Sequence, residues 1–151
     1  MKKRLIGTFA AAAVLAPALT LTGTGQAFAA GSAVTWKNNS NHQYLAYFNF
    51  RVRTTSADPS QSASLKWDEY KQSDGTYLMK HHGDGKCLDS NGRGEVYLGT
   101  CNGGNYQKWY EFHDSDGWTL QDKATGLVLK VDSDGQVRTA KDTYAPAMRW
   151  S

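Results

Sequence analysis

Beyond residue 30 the chain alternates short apolar and aromatic runs with clusters of glycine, aspartate, asparagine and serine. No set of apolar positions keeps helical spacing for three turns. The runs are about four to seven residues long and rich in valine, leucine, tyrosine, threonine and tryptophan. "GDG", "SNGRG", "NGG", "SDG" and "DSDG" bound them, which are turn signals, so the pattern predicts strands. A longer period lies over the short one: Trp67 in "SLKWDEY", Trp109 in "YQKWYEF" and Trp150 in "AMRWS" stand 42 and 41 residues apart. Such a period marks repeated supersecondary units.

Laid out on that period, the chain gives three segments: Val34 to Tyr70, Tyr77 to Phe112 and Trp118 to Ser151. The second and third register closely. "GKCLD" falls on "GLVLK", "EVYLGTC" on "QVRTAKD" and "YQKW" on "AMRW". The first aligns more loosely, with "HQYLA" on "GKCLD" and a longer loop before its tryptophan; Arg51 to Ser64 is expected to be the longest irregular segment. Three units of about four strands each must close to avoid exposed edges, and a threefold barrel capped by hairpins, the all-β β-trefoil, fits that count. A propeller needs at least one more blade. One large aromatic at the same point of each repeat is what a shared core requires, so Trp67, Trp109 and Trp150 are expected inside.

The first thirty residues have a basic start, an apolar middle and a small-residue "AFA" near their end, the pattern of a secretory signal peptide cleaved after Ala29 or Ala30. Pro17 and the Thr/Gly-rich stretch from Thr20 to Gly25 interrupt the apolar run short of the ~20 residues of a spanning helix. The expected organisation is therefore a signal peptide over residues 1–30 and one secreted, extracellular domain over residues 31–151, with no membrane attachment after cleavage. Lys2, Lys3 and Arg4 go with the signal, and the charge of +3 on the whole chain falls to zero. A domain without net charge or clustered basic residues lacks the footprint of a nucleic-acid binder.

Cys87 and Cys101 form an even pair 14 residues apart, read most simply in a secreted chain as one disulfide; a reactive thiol is the sharper alternative, and no activating base stands nearby in sequence. "KHHGDG" places His81, His82 and Asp84 together, but neighbours on a strand point to opposite faces and do not chelate jointly. "DSDG" at Asp132 to Gly135 lacks the remaining ligands of a calcium loop and reads as a hairpin turn. Neither a metal nor a cofactor is expected. Asp68 with Glu69, and Glu111 with Asp114, are sequence neighbours with nothing to set the separation that glycoside hydrolysis needs, so a non-enzymatic protein is expected. "NNS" at Asn38 to Ser40 has the form of a glycosylation sequon.

"GKCLDSN", "VYLGTC" and "CNGGNYQKW" in succession resemble the ricin-type B-chain lectin repeat, with its Cys-Leu-Asp turn, its cysteine after a short strand and its Gln-x-Trp motif. The middle repeat carries the motif as Gln107-Lys108-Trp109; the first reads Leu65-Lys66-Trp67 and the third Met148-Arg149-Trp150. The resemblance implies a small secreted carbohydrate-binding trefoil whose partner is a glycan or polysaccharide; the Lys-rich, Ala-rich export signal points to a bacterial origin, and a monomer is expected. The resemblance further implies an aspartate for sugar hydroxyls, an aromatic for the apolar face of the ring, and amides near the motif. Carried onto this chain, the aspartate is Asp89 and the motif amide Gln107, with Tyr106 where the family often has asparagine and Asn105 one position earlier. The stacking aromatic falls on Gly99; Tyr97, on the same strand face, is the expected substitute. The other repeats depart further, with Lys130 and Ala140 in the third and Ala46 and Thr55 in the first, and without the cysteine pair. At most one sugar site is therefore expected, made by Asp89, Tyr97, Asn105 and Gln107. The rival reading is a trefoil that binds proteins or inhibits proteases through exposed loops, since fold alone does not choose between these.

Overall fold

The computed structural model describes residues 31–151; the expected signal peptide lies outside them. Among the described residues eleven strands follow one another: β1 (Ser32–Val34), β2 (Tyr44–Phe48), β3 (Arg51–Thr55), β4 (Trp67–Lys71), β5 (Tyr77–His81), β6 (Cys87–Ser90), β7 (Val96–Gly99), β8 (Lys108–Asp114), β9 (Gly117–Asp122), β10 (Val128–Val131) and β11 (Val137–Ala140). Long hairpins β4–β5 and β8–β9 join consecutive repeats, and Tyr77 pairs with Trp109 between them. The last segment closes the barrel: Trp150 bridges both Trp118 and Asn38, and Lys37 and Ser151 exchange backbone hydrogen bonds of 2.8 Å. Three further hairpins, β2–β3, β6–β7 and β10–β11, form the cap. This is a β-trefoil, and closure answers the edge problem that the short strands raise. Each repeat has four strands, except that the fourth of the last repeat is reduced to the bridges at Trp150.

Trp67, Trp109 and Trp150 are fully buried. A buried indole N–H needs an acceptor, and each finds the carbonyl of the leucine at the second position of its own repeat's first cap strand: Leu45 at 3.1 Å, Leu88 at 3.2 Å and Leu129 at 3.2 Å. Those leucines lie across from Thr54, Leu98 and Thr139, so the three repeats share one register. Trp36, Met79 and Leu120 complete the core from the opening segments of the repeats. A single 3-10 turn precedes each core tryptophan, ending on Leu65, Gln107 and Met148, all buried.

The segment from Arg51 to Ser64 is less irregular than its sequence predicts. Its first five residues are β3, with Val52 and Thr54 buried and the intervening side chains outward. The turn before it escapes the usual signal, since Asn49 and Phe50 take the two left-handed positions, at φ 51° and 60°, where Asn-Gly is the common pair. Phe48 then pairs directly with Arg51. "DSDG" is the expected hairpin turn, with Asp132 N–H donating to Gln136 C=O at 2.8 Å and Gly135 at φ 78°.

Candidate functional site

The middle cap hairpin sets Asp89 opposite Tyr97 and Cys87 opposite Gly99. Side chains alternate along a strand, so all four share one face. The Cys87–Cys101 disulfide, with Cα atoms 5.0 Å apart, ties the start of β6 to the loop beyond β7. That loop returns over the hairpin and ends in the 3-10 turn Asn105–Gln107.

Gln107 is 1% exposed and every polar atom of its amide is used. Its Nε2 donates to Asp89 Oδ2 at 2.8 Å and to Thr100 C=O at 2.9 Å, while Oε1 accepts the Asn102 N–H at 2.8 Å. The glutamine therefore aims the carboxylate and holds the loop; Asp89 itself is 8% exposed. This explains the glycine where the resemblance places an aromatic. A Cβ on Gly99 would lie 2.9 Å from Asp89 Oδ2 and 3.4 Å from Gln107 Nε2, inside the carboxylate–amide pair. No stacking ring fits there while that pair stands.

Tyr97 is 42% exposed across from Asp89, and its hydroxyl donates to Ser90 C=O at 3.3 Å. Burial, with the Asp89 and Glu95 charges, pushes the phenol above its ordinary value, so it stays a neutral donor. Asn105 is exposed on the 3-10 turn. Tyr106, beside it, is 47% exposed and close enough to act on the Tyr97 phenol. The structure thus joins Asp89, Tyr97 and Gln107 on one face, leaves Asn105 exposed on the turn that ends at Gln107, and adds a second aromatic, Tyr106, which the sequence placed only as a departure from the motif.

The equivalent faces of the other repeats have different chemistry. Lys130 stands opposite Arg138, and both are paired with Asp132, at 2.8 and 2.9 Å. Ala46 stands opposite Arg53. The glutamine position is Met148 or Leu65, so no carboxylate–amide pair forms in either.

Other polar clusters lie away from this face. His81 is buried between the Tyr47 and Trp67 rings, whereas His82 is exposed and meets Asp68 at 2.9 Å. Glu69 and Glu111, which the sequence pairs with other neighbours, face each other on β4 and β8. Burial pushes both carboxyls up, Glu69 to about 7 and Glu111 to about 8, and the Trp36 indole donates to Glu69 Oε1 at 3.1 Å. Asn38 of the sequon is fully buried and its amide donates to Ala147 and Arg149 carbonyls.

Residues 61–144, more than half of the chain, match the family model described as ricin-type beta-trefoil lectin domain-like. The chain belongs to this family. The match takes in the whole middle repeat with its Asp89–Gln107 pair, and most of the third. Among solved structures, this ricin-type domain is similar to a designed threefold-symmetric protein, ThreeFoil, at 19% identity and a TM-score of 0.69, covering 78% of this chain and 95% of that one. It is also similar to SeviL bound to asialo-GM1 saccharide, at 16% identity and 0.67, covering 81% and 95%. The endo-β-galactosidase of Clostridium perfringens that releases GlcNAcα1-4Gal matches at 15% identity and 0.71, with 79% of this chain covering 31% of that enzyme. At these identities the likeness is one of fold. No curated protein matches the sequence.

Proposed function

We propose that this protein is a secreted, non-catalytic carbohydrate-binding module with one family-type site, on the middle repeat. Membership in a lectin-type family supports carbohydrate binding in general. The observation that carries the location is the Asp89–Gln107 hydrogen bond of 2.8 Å, which has no equivalent in the other repeats. Asp89 accepts from sugar hydroxyls, Tyr97 offers a ring face to the apolar side of a pyranose, and Asn105 supplies an amide at the rim. Gln107 acts through Asp89. The rings of Tyr97 and Tyr106 take the part that an aromatic at position 99 would play. A sugar presents hydroxyls at its edge and C–H bonds on its face, and the site offers groups for both. One shallow site gives millimolar to high-micromolar affinity, roughly −4 to −6 kcal/mol.

The test is binding of the purified protein to a panel of glycans and polysaccharides, with Asp89→Asn alongside. Asparagine still accepts the Gln107 hydrogen bond but loses the charge, so the fold stays and binding is expected to fall at least tenfold. Undiminished binding by a folded Asp89→Asn variant would move the site elsewhere. The protein-binding alternative draws on one observation: Phe48 and Phe50, 56% and 93% exposed, stand on one cap hairpin. A folded protein that binds no glycan on the panel, yet is captured by a protein partner through these rings, would favour it.

A further inference from the structure

A second cleft, about 390 Å³, opens between the last repeat and the barrel closure, lined by Asn39, Asp116, Tyr144, Pro146 and Arg149. Lys130, Arg138 and Ala140, the face where the third repeat's family-type site would be, are not among its lining residues. Its most unusual member is Tyr144. This residue is in the left-handed region at φ 60°, at the position that Gly103 fills in the middle repeat at φ 68°. A side chain there is disfavoured by its own backbone, and burial does not compensate, because Tyr144 is 74% exposed.

The ring is nonetheless held in place. Tyr144 N–H donates to Asp142 Oδ1 at 2.8 Å, and the Arg149 guanidinium lies 5.2 Å from the ring centroid. Arg149 is 2% exposed and grips Asp142 with two hydrogen bonds, at 3.1 and 3.2 Å. Polar groups stand across the cleft. Asn39 Nδ2 donates to the Asp116 carbonyl at 2.7 Å, while the Asp116 carboxylate and Asn39 Oδ1 have no partner among the described residues. Asp142 neutralises Arg149, so the cleft combines a fixed ring, an amide and an unengaged carboxylate. Its volume suits one or two sugar rings.

We propose that this cleft is a second saccharide site, independent of Asp89, taking a neutral pyranoside whose apolar face stacks on Tyr144 and whose hydroxyls donate to Asp116 and Asn39. The saccharide class rests on the carbohydrate-binding reading above; the location does not. The cation under the ring leaves its outer face for the C–H bonds of a sugar, and the open acceptors match hydroxyl donors rather than an acidic ligand.

The experiment is a titration of the protein with methyl β-galactopyranoside, methyl α-mannopyranoside and xylobiose, each followed by two-dimensional amide NMR. Concentrations run up to about 50 mM, enough to fill a site with a dissociation constant of several millimolar. At least one probe is expected to shift the Asn39, Asp116 and Tyr144 amides. The shifts persist in Asp89→Asn and disappear in Tyr144→Gly and Tyr144→Asn, two replacements that tolerate a left-handed backbone and so spare the fold. Shifts confined to the Asp89 and Tyr97 region would overturn this proposal and leave the middle site standing. Shifts at Tyr144 alone would do the reverse. No shift at either place, with a dispersed spectrum, would overturn both.

Discussion

The middle and third repeats have the same backbone and almost opposite chemistry. In each, a buried tryptophan donates to a leucine carbonyl 21 residues earlier, at 3.2 Å. Around that shared frame the middle repeat ties its loop with a disulfide, while the third has Val128 and Asp142 at the cysteine positions and clamps Asp142 to Arg149 instead. Where the middle repeat aims a carboxylate with an amide, the third neutralises two cations on Asp132. Core positions answer to the barrel, which all three repeats build together. Cap and loop positions answer only to their own repeat, so they are free to diverge.

The sharpest way to break this comparison is in the core. Trp109→Ala and Trp150→Ala are each expected to cost about 3–5 kcal/mol, the range for emptying a large buried aromatic site. Chemical denaturation measures both, and a gap of more than about 2 kcal/mol between them would mean that the frames are not equivalent. The clamps come next. Cys87→Ser with Cys101→Ser is expected to cost about 3 kcal/mol for a closed loop of 14 residues. Asp142→Ala removes the partner of a buried guanidinium. The carboxylate is itself 26% exposed, so about 2–3 kcal/mol is expected, below the cost of a fully buried pair. Comparable losses would show that the ion pair replaces the disulfide; a negligible loss from Asp142→Ala would leave the third loop held by packing alone.

The same division explains how much of the molecule was legible in the sequence. The core tryptophans, the repeat boundaries and the β-trefoil followed from periodicity, because a shared core forces like residues to like positions. Asp89 and Tyr97 were also legible, since strand alternation puts them on one face once the hairpin is placed. The role of Gln107 was not: whether an amide faces a ligand or its own scaffold depends on a loop that folds back over it. Gly99 likewise reads as a missing aromatic until the carboxylate–amide pair beneath it is seen. The strand at Arg51 was hidden by a turn with phenylalanine where glycine is the usual signal. The cleft at Tyr144 joins residues about a hundred positions apart, which no local pattern announces.

Glu69 and Glu111 give a pH dependence that joins the first and middle repeats, each carboxyl standing two residues after its repeat's core tryptophan. Both carboxyls lie above their ordinary range, principally through burial. The folded state therefore holds protons that the unfolded chain releases near pH 4.5, and this contribution is full below that pH. It is lost as pH rises through about 7 to 8. Partial exposure limits the change to on the order of 1–2 kcal/mol. Melting temperature is expected to fall over that window in the native protein and to stay flatter in Glu111→Gln. An equal slope in both would remove the pair as the cause.

The smallest effect compares Gly103 with Tyr144, the same left-handed position in the two repeats. Nothing lies within 4 Å of where a Cβ on Gly103 would be, so Gly103→Ala tests the backbone alone and is expected to cost about 1 kcal/mol. Tyr144→Gly relieves that strain but gives up the Arg149 contact and frees the unfolded chain, so its gain is smaller, about 0.5 kcal/mol. Two opposite signs in denaturation midpoints would show that the third repeat maintains an exposed ring against its own backbone preference. If Tyr144→Gly instead loses about 1 kcal/mol, the stacking on Arg149 is a structural clamp like Asp142, and the ring has a reason to be there that involves no ligand.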